Sequence, residues 1–113
     1  MIADLPLLRP FKMSGVEISI SANVFARVET DTGLVGWGEA SSSPAMTGET
    51  VESMVAAIRY LKPFLIGRDP ADFIDNMKEI DWRLYGNASA KTVLEIALYD
   101  LAGKAQKKSV AEL

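Results

Sequence analysis

The stretch VFARVETDTGLVGWGEA, residues 24–40, decides the fold of this chain. Apolar residues alternate with polar or aromatic ones from Val24 to Val28, which is the pattern of a strand buried on one face. Asp31–Gly33 then predicts a tight turn, because glycine tolerates the positive φ that such turns require. Leu34–Ala40 is the predicted return strand. The stretch therefore predicts an antiparallel hairpin.

Two glycines, Gly36 and Gly38, share one face of the return strand. Glycine inside a strand often marks a place where another backbone or a helix approaches closely. These glycines lie within a hairpin, whereas a dinucleotide-binding fingerprint needs its glycines between a strand and a helix. They predict close packing and exclude a phosphate-binding loop of that kind.

A shorter strand is predicted upstream, within Ile2–Leu7, where Pro6 and Pro10 limit its length. Together with the hairpin it makes a small antiparallel three-stranded β-meander over about residues 1–40. Beyond residue 46 the apolar period changes from two to between three and four, which indicates helices over about residues 49–107. The predicted fold class is α+β, a three-stranded meander followed by a three-helix bundle, in one domain of residues 1–113.

Helix boundaries follow from capping residues. Thr47 or Thr50 is predicted to cap the first helix, which Pro63 helps to end. Asp69 is predicted to cap the second helix and Asn87 the third. The apolar positions that predict the buried faces are Val51, Met54, Val55, Ile58 and Leu61 in the first helix, Phe73, Ile74, Met77, Ile80 and Leu84 in the second, and Ala90, Val93, Leu94, Ala97, Leu98, Leu101, Ala102 and Ala105 in the third.

Composition narrows the function classes. Apolar residues make up 49% and charged residues 24% of 113 residues, as in a soluble globular domain. The net charge of −3 argues against nucleic-acid binding, and no apolar run approaches the roughly 18 residues of a membrane span. The N-terminus lacks the basic-then-apolar pattern of a secretory signal, so a cytoplasmic location is expected. Cysteine and histidine are absent, which excludes thiol chemistry and histidine-based catalysis or zinc binding.

Carboxylates are the remaining candidates for chemistry. Asp69, Asp72 and Asp75 could be oxygen ligands of a divalent cation, but their position at a helix start favours capping and dipole roles. Glu39 stands at a strand end, where an acid/base role competes with a structural hydrogen bond, and the structural role is preferred. No catalytic residue, metal ligand or cofactor is predicted within this chain.

A series of motifs in one order nevertheless resembles the N-terminal capping domain of the mandelate racemase/muconate lactonizing enzyme group of the enolase superfamily. These motifs are Leu5–Lys12, Val28–Ala40, Thr47–Thr50, Leu65–Pro70, Gly86-Asn87 and Ala97–Lys104. The resemblance implies a parent enzyme whose C-terminal barrel domain, expected to be absent from this chain, binds Mg²⁺ and abstracts a proton next to a carboxylate through a metal-stabilised enolate. A small carboxylate substrate is implied.

The resemblance favours the cap of a muconate cycloisomerase, with a dipeptide epimerase, or a related racemase or dehydratase, as the alternative. A second class is a non-catalytic module that associates with itself as a homo-oligomer or with a partner. A third is a stand-alone binding protein for small acids, which is weaker because arginines and lysines do not cluster in the sequence.

Two mobile loops that close the active site are implied by the same resemblance, over Lys12–Ser21 and Ala40–Gly48. Met13, Val16 and Met46 are the residues expected to contact substrate. The alternative is that these side chains only pack against the rim of the barrel.

Overall fold

A computed structural model of the chain describes residues 12–20 and 23–107. Within these residues, three antiparallel strands, ordered in the sheet as in the sequence, precede three helices. The strands are β1 (Met13–Ile20), β2 (Asn23–Thr30) and β3 (Val35–Ser41), and the helices are α1 (Val51–Leu65), α2 (Phe73–Arg83) and α3 (Ala88–Gln106). The predicted α+β fold of a three-stranded meander and three helices is confirmed. No helix within the described ranges is long and apolar enough to cross a membrane.

The position of the first described strand differs from the prediction. β1 occupies Met13–Ile20, a segment expected to be a loop, and it pairs with β2, with Val16 opposite Val28. A shift of register between Met13 and Gly15 places two buried side chains three residues apart, at 13 and 16, and interrupts the alternation at the start of the strand, whereas apolar and polar residues alternate from Val16 to Ile20. The strand predicted within Ile2–Leu7 lies outside the described residues.

The hairpin of β2 and β3 forms as predicted. The Thr30 N–H donates to the carbonyl of Leu34 at 2.9 Å, and Gly33 has a φ of 88°, which glycine adopts without strain. The inward side chains Val24, Ala26 and Val28 are completely buried. One face of the sheet therefore forms half of the core.

Helix α3 supplies the other half because it crosses β3 at the two glycines. A Cβ atom on Gly36 would lie 2.6 Å from Leu101 Cγ, and one on Gly38 would lie 2.8 Å from the backbone nitrogen of Ala97. No side chain fits at such distances, so the predicted close approach of a helix is confirmed. All eight apolar positions predicted for this helix are buried, namely Ala90, Val93, Leu94, Ala97, Leu98, Leu101, Ala102 and Ala105.

The helix ends agree with the sequence in part. Thr50 caps α1 through a reciprocal pair of hydrogen bonds with Ser53, at 3.1 and 2.9 Å. Pro63 lies inside α1, which ends two residues later at Leu65. The prediction that Asp69 caps the second helix is wrong, because its carboxylate accepts from the N–H of Ala71, in the turn that precedes α2.

Two further predictions are corrected. Asn87 occupies the N-cap position of α3 as predicted, but its side-chain amide donates to the carbonyl of Tyr85 at 2.8 Å and the side chain makes no capping hydrogen bond. Ile74, predicted for the buried face of α2, is 66% exposed, whereas Ile80 of the same helix is buried. Helix α2 therefore lies at the edge of the core.

Candidate functional site

The three residues expected to contact substrate differ in exposure. Met13 and Val16 are 1% and 5% exposed, and their side chains belong to the core beneath β1. Hydrogen bonds between Met13 and the segment at Gly67 and Arg68 fix the start of this strand. The expectation of a loop at Lys12–Ser21 is thus wrong over residues 13–20, and we assign Met13 and Val16 to packing. Substrate contact stays a prediction for Met46, whose side chain is 89% exposed.

Met46 stands at the tip of a closed loop, residues 42–49, called the Met46 loop below. The N–H of Ser43 donates to the carbonyl of Glu49 at 3.1 Å, which joins the two ends of the loop. Inside it, the N–H of Thr47 donates to the carbonyl of Ser43 at 2.9 Å, and Gly48 turns the chain with a φ of 77°. The second predicted loop, Ala40–Gly48, therefore begins later than expected, since Ala40 still belongs to β3. Its tip is exposed and its base is held by hydrogen bonds.

The base of the Met46 loop is attached to the start of α3 by Glu49. This residue is only 6% exposed. Its Oε1 accepts from the backbone N–H of Ser89 at 2.9 Å and its Oε2 from that of Ala90 at 3.0 Å. The first N–H groups of a helix have no partner within the helix. Glu49 satisfies two of them from another part of the chain, in the role that had been predicted for Asn87.

The environment of Glu49 favours its ionised form. Burial raises the pKa of its carboxyl group, but the backbone hydrogen bonds from Ser89 and Ala90, with contributions from the hydroxyls of Ser89 and Thr47, more than offset this effect. The pKa of Glu49 consequently lies below its ordinary value of 4.5. A buried carboxylate held in this way is charged at neutral pH.

Sequence reasoning missed the role of Glu49, although the residue lies within the Thr47–Thr50 motif. Its two hydrogen-bond donors are 40 and 41 residues further along the chain, so no local pattern identifies them. The available signal was an acidic residue directly before a capping threonine, in a segment without another charge. Charge alone could not show that this carboxylate would be buried.

The other candidate acids have structural partners. Asp69 is engaged in the turn before α2, as described above. Glu39 accepts a hydrogen bond of 2.5 Å from the side-chain amide of Asn23 on the outer face of the sheet, which agrees with the preferred structural role. Within residues 12–20 and 23–107, no three or more acidic, cysteine or histidine side chains are grouped so that they could hold a metal ion. The described residues do not fit a Mg²⁺ site.

A shallow cleft between α3 and the outer face of β3 is the other notable surface. Phe25, Trp37, Gly38, Glu39 and Ile96 line it, and its volume is about 480 Å³. Trp37 and Ile96 are 51% and 43% exposed, which gives this face an apolar character. The cleft lies at the edge of β3, where Ile96 of α3 meets the outer-face residues Phe25, Trp37 and Glu39.

Comparison with known proteins connects this geometry to one group of enzymes. The sequence profile of the mandelate racemase / muconate lactonizing enzyme N-terminal domain matches residues 1–113. An L-Ala-D/L-Glu epimerase of Clostridium acetobutylicum is 40% identical over 102 residues, which are 89% of this chain and 28% of the relative. A chloromuconate cycloisomerase of Delftia acidovorans is 37% identical over 115 residues, covering 99% of this chain and 31% of the relative.

A solved structure shows the same architecture. The dipeptide epimerase from Cytophaga hutchinsonii, crystallised with Mg and the dipeptide D-Ala-L-Val, matches with a TM-score of 0.70 and 35% sequence identity. The match covers 84% of this chain and 27% of that one. The chain thus spans less than a third of the length of the proteins that it resembles.

Proposed function

Because this chain belongs to the mandelate racemase / muconate lactonizing enzyme N-terminal domain family, we propose that it is the capping and substrate-specificity domain of a Mg²⁺-dependent isomerase. The observation that carries the proposal is the Met46 loop, which presents an exposed apolar side chain on a base fixed by hydrogen bonds. The described residues offer no metal site. The proposal therefore assigns Mg²⁺, which would stabilise an enolate, and the groups that move the proton to a C-terminal barrel domain.

The physical role of the cap is to shape the substrate pocket and to exclude water from it. A loop whose base is fixed can cover a bound substrate without losing its own geometry, and covering the substrate excludes water. The methionine side chain is flexible and polarizable, so it fills irregular apolar space. Met46 would contact the apolar part of a small carboxylate substrate, while the acidic group of that substrate faces the barrel.

Two parent reactions are supported by relatives of similar identity. We put a cycloisomerase resembling muconate cycloisomerase first, as the motifs of the sequence favour. A dipeptide epimerase is the second candidate, and the 40% identity to an L-Ala-D/L-Glu epimerase supports it. Both reactions begin with, or reverse, the removal of a proton next to a carboxylate. The cap would select between their substrates by the shape of the Met46 loop.

The test uses the enzyme encoded by the complete reading frame that contains this chain, assayed with a panel of muconates and dipeptides. Met46→Ala should raise KM for the preferred substrate by about three- to thirtyfold, because apolar contact with the substrate is lost. The matched control is Ile74→Ala, which removes another exposed apolar side chain far from the loop in sequence. Unchanged KM values across the panel in the Met46 variant would contradict the proposed role.

A non-catalytic module that associates with its own copies is the competing class. The apolar cleft around Trp37 and Ile96 favours it, since exposed apolar patches often mark interaction surfaces. Sedimentation velocity of the chain over a hundredfold range of concentration decides the point. A sedimentation coefficient that rises with concentration, and that Trp37→Ser abolishes, supports self-association, while a constant monomer value opposes it.

A further inference from the structure

We propose that Glu49 is the positioning residue of the Met46 loop, so that substrate selection at the loop tip depends on a buried carboxylate that does not itself contact substrate. This inference rests on the proposed function for its link to substrate, and on geometry alone for its link to the loop. Glu49 is the last residue of the Met46 loop and is immediately followed by Thr50, the cap of α1.

The first step is that Glu49 connects the loop to a fixed part of the molecule. Its two carboxylate oxygens accept one hydrogen bond each from consecutive N–H groups at the start of α3, at 2.9 and 3.0 Å. Further along, α3 is held against β3, where its backbone lies too close to Gly36 and Gly38 for any side chain to intervene. The start of α3 is therefore continuous with a segment packed against the sheet, and Ala90 within it is itself buried.

The second step is that, among residues 12–20 and 23–107, the side chain that accepts from the N–H groups at this helix start is that of Glu49. Asn87 occupies the cap position, but its amide is directed to the carbonyl of Tyr85. The N–H of Lys91 donates to the carbonyl of Asn87 as the first bond of the helical ladder, and the N–H groups of Ser89 and Ala90 precede that ladder, so they need an acceptor from outside the helix. Loss of the carboxylate leaves both N–H groups without this acceptor.

The third step is that a displacement of Glu49 also displaces the tip of the Met46 loop. The carbonyl of Glu49 accepts a hydrogen bond from the N–H of Ser43. The carbonyl of Ser43 in turn accepts from the N–H groups of Met46 and Thr47, at 3.2 and 2.9 Å. The N–H of Glu49 itself donates to the hydroxyl of Thr47 at 3.3 Å. The tip and Glu49 therefore belong to one hydrogen-bonded unit, which moves together if its attachment to α3 is lost.

The first experiment measures the loop in the full 113-residue chain by amide hydrogen exchange and uses Glu49→Gln. A glutamine of the same size keeps one acceptor oxygen and directs an amide group at the other N–H. Exchange of the Ser89, Ala90, Met46 and Thr47 amides should become about tenfold faster. The matched control is Glu52→Gln, an exposed acid in the first turn of α1, which should leave these four amides unchanged.

Exchange at core amides distinguishes a positioning role of Glu49 from a general loss of stability. In the Glu49 variant, the amide of Ala97 in the middle of α3 should keep its protection while the loop amides lose theirs. Equal acceleration at Ala97 and in the loop, or unchanged exchange at Met46, would overturn the inference. If the Glu49 variant does not fold, protection factors of the parent chain, corrected for the intrinsic exchange rate at each pH, are compared at pH 7 and at a pH low enough to protonate Glu49, and the same selective loss of protection is expected.

The second experiment measures substrate selection in the complete enzyme. Glu49→Gln should raise KM for the preferred carboxylate about tenfold with a smaller change in kcat, and adding Met46→Ala should produce little further increase, because both changes act through one loop. Fully additive effects would overturn the link. If Met46→Ala alone changes nothing, the proposed function fails, while the exchange experiment still decides whether Glu49 positions the loop.

Discussion

The Oδ2 atom of Asp100 in α3 accepts a hydrogen bond of 3.0 Å from the backbone N–H of Trp37 in β3. Lys104, one turn further along α3, pairs with the same carboxylate at 3.2 Å and donates to the carbonyl of Val35 at 2.6 Å. These backbone groups face away from β2, along the outer edge of β3. Two helix side chains therefore satisfy edge groups that an additional strand would otherwise pair with.

Removal of this pair should expose the edge of β3. The double variant Asp100→Ala/Lys104→Ala is expected to lose about 1–2 kcal/mol of unfolding free energy, measured by urea denaturation, because two hydrogen bonds to the backbone are lost. It should also associate more strongly than the parent in sedimentation velocity, since an unprotected edge strand pairs with other chains. Lys78→Ala, on the exposed face of α2, is the control and should change neither quantity. An association unchanged from the parent would show that the edge needs no such protection.

Gly38→Ala should be the more damaging of two glycine substitutions. The added methyl group would collide with the backbone carbonyl of Val93 and lie 2.8 Å from the nitrogen of Ala97, so α3 must move away from the sheet. We expect a loss of about 3 kcal/mol or more in urea denaturation. Gly15→Ala in β1 meets open space and should change stability by less than about 1 kcal/mol. Similar values for the two variants would refute the close contact of helix and sheet.

Acid should weaken the domain through Glu49. Its pKa is 4.5 in the unfolded chain and lower in the folded state, because hydrogen bonds from Ser89 and Ala90 outweigh the effect of burial. The ionised carboxylate therefore stabilises the fold fully above pH 4.5, and this contribution is lost as the pH falls through the folded value. The parent and Glu49→Gln should differ in unfolding free energy at pH 7 and converge towards pH 3. A difference that is independent of pH would contradict this assignment.

Glu95 should have the opposite effect. Partial burial raises its pKa, the nearby charge of Asp81 raises it further, and Lys91 lowers it. The folded state then binds a proton more readily than the unfolded chain, so the ionised form costs stability at neutral pH and the cost disappears as the pH falls below the folded pKa. Glu95→Gln should raise the urea midpoint slightly at pH 7 and not at pH 4. A lower midpoint at pH 7 would mean that Glu95 makes a favourable ion pair.

The period of the apolar residues was sufficient to predict the hairpin and α3. In both, the apolar residues recur regularly and the face that carries them is buried along its whole length. β1 was missed although apolar and polar residues alternate from Val16 to Ile20, because the family resemblance assigned this segment to a loop and the register shift near Gly15 obscures the start of the strand. Ile74 was misassigned because the sequence shows an amphipathic helix without showing that α2 lies at the edge of the core.

Of the candidate site, only the exposed position of Met46 agrees with the loop that the family resemblance implied, and its contact with substrate stays a prediction. Glu49 could not be identified from the sequence, because it acts through donors that only the folded chain brings near. Met13 and Val16 show the converse error, because family resemblance located a loop and the packing of this chain placed a strand there. The structural roles of Glu49, Met13 and Val16 are each determined by contacts between residues that are distant in the sequence.

Gly36 and Gly38, the two β3 residues without side chains, mark a part of the molecule that cannot be redesigned, in contrast to the exposed tip of the Met46 loop. Mutagenesis libraries that vary the crossing point of α3 and β3 will yield mostly unfolded proteins, since the helix backbone fills that space. Pro44, Ala45 and Met46 are exposed, and the hydrogen bonds that hold this part of the loop are made by backbone atoms and not by these side chains. Directed evolution of altered selectivity should therefore begin at these three codons and leave the crossing untouched.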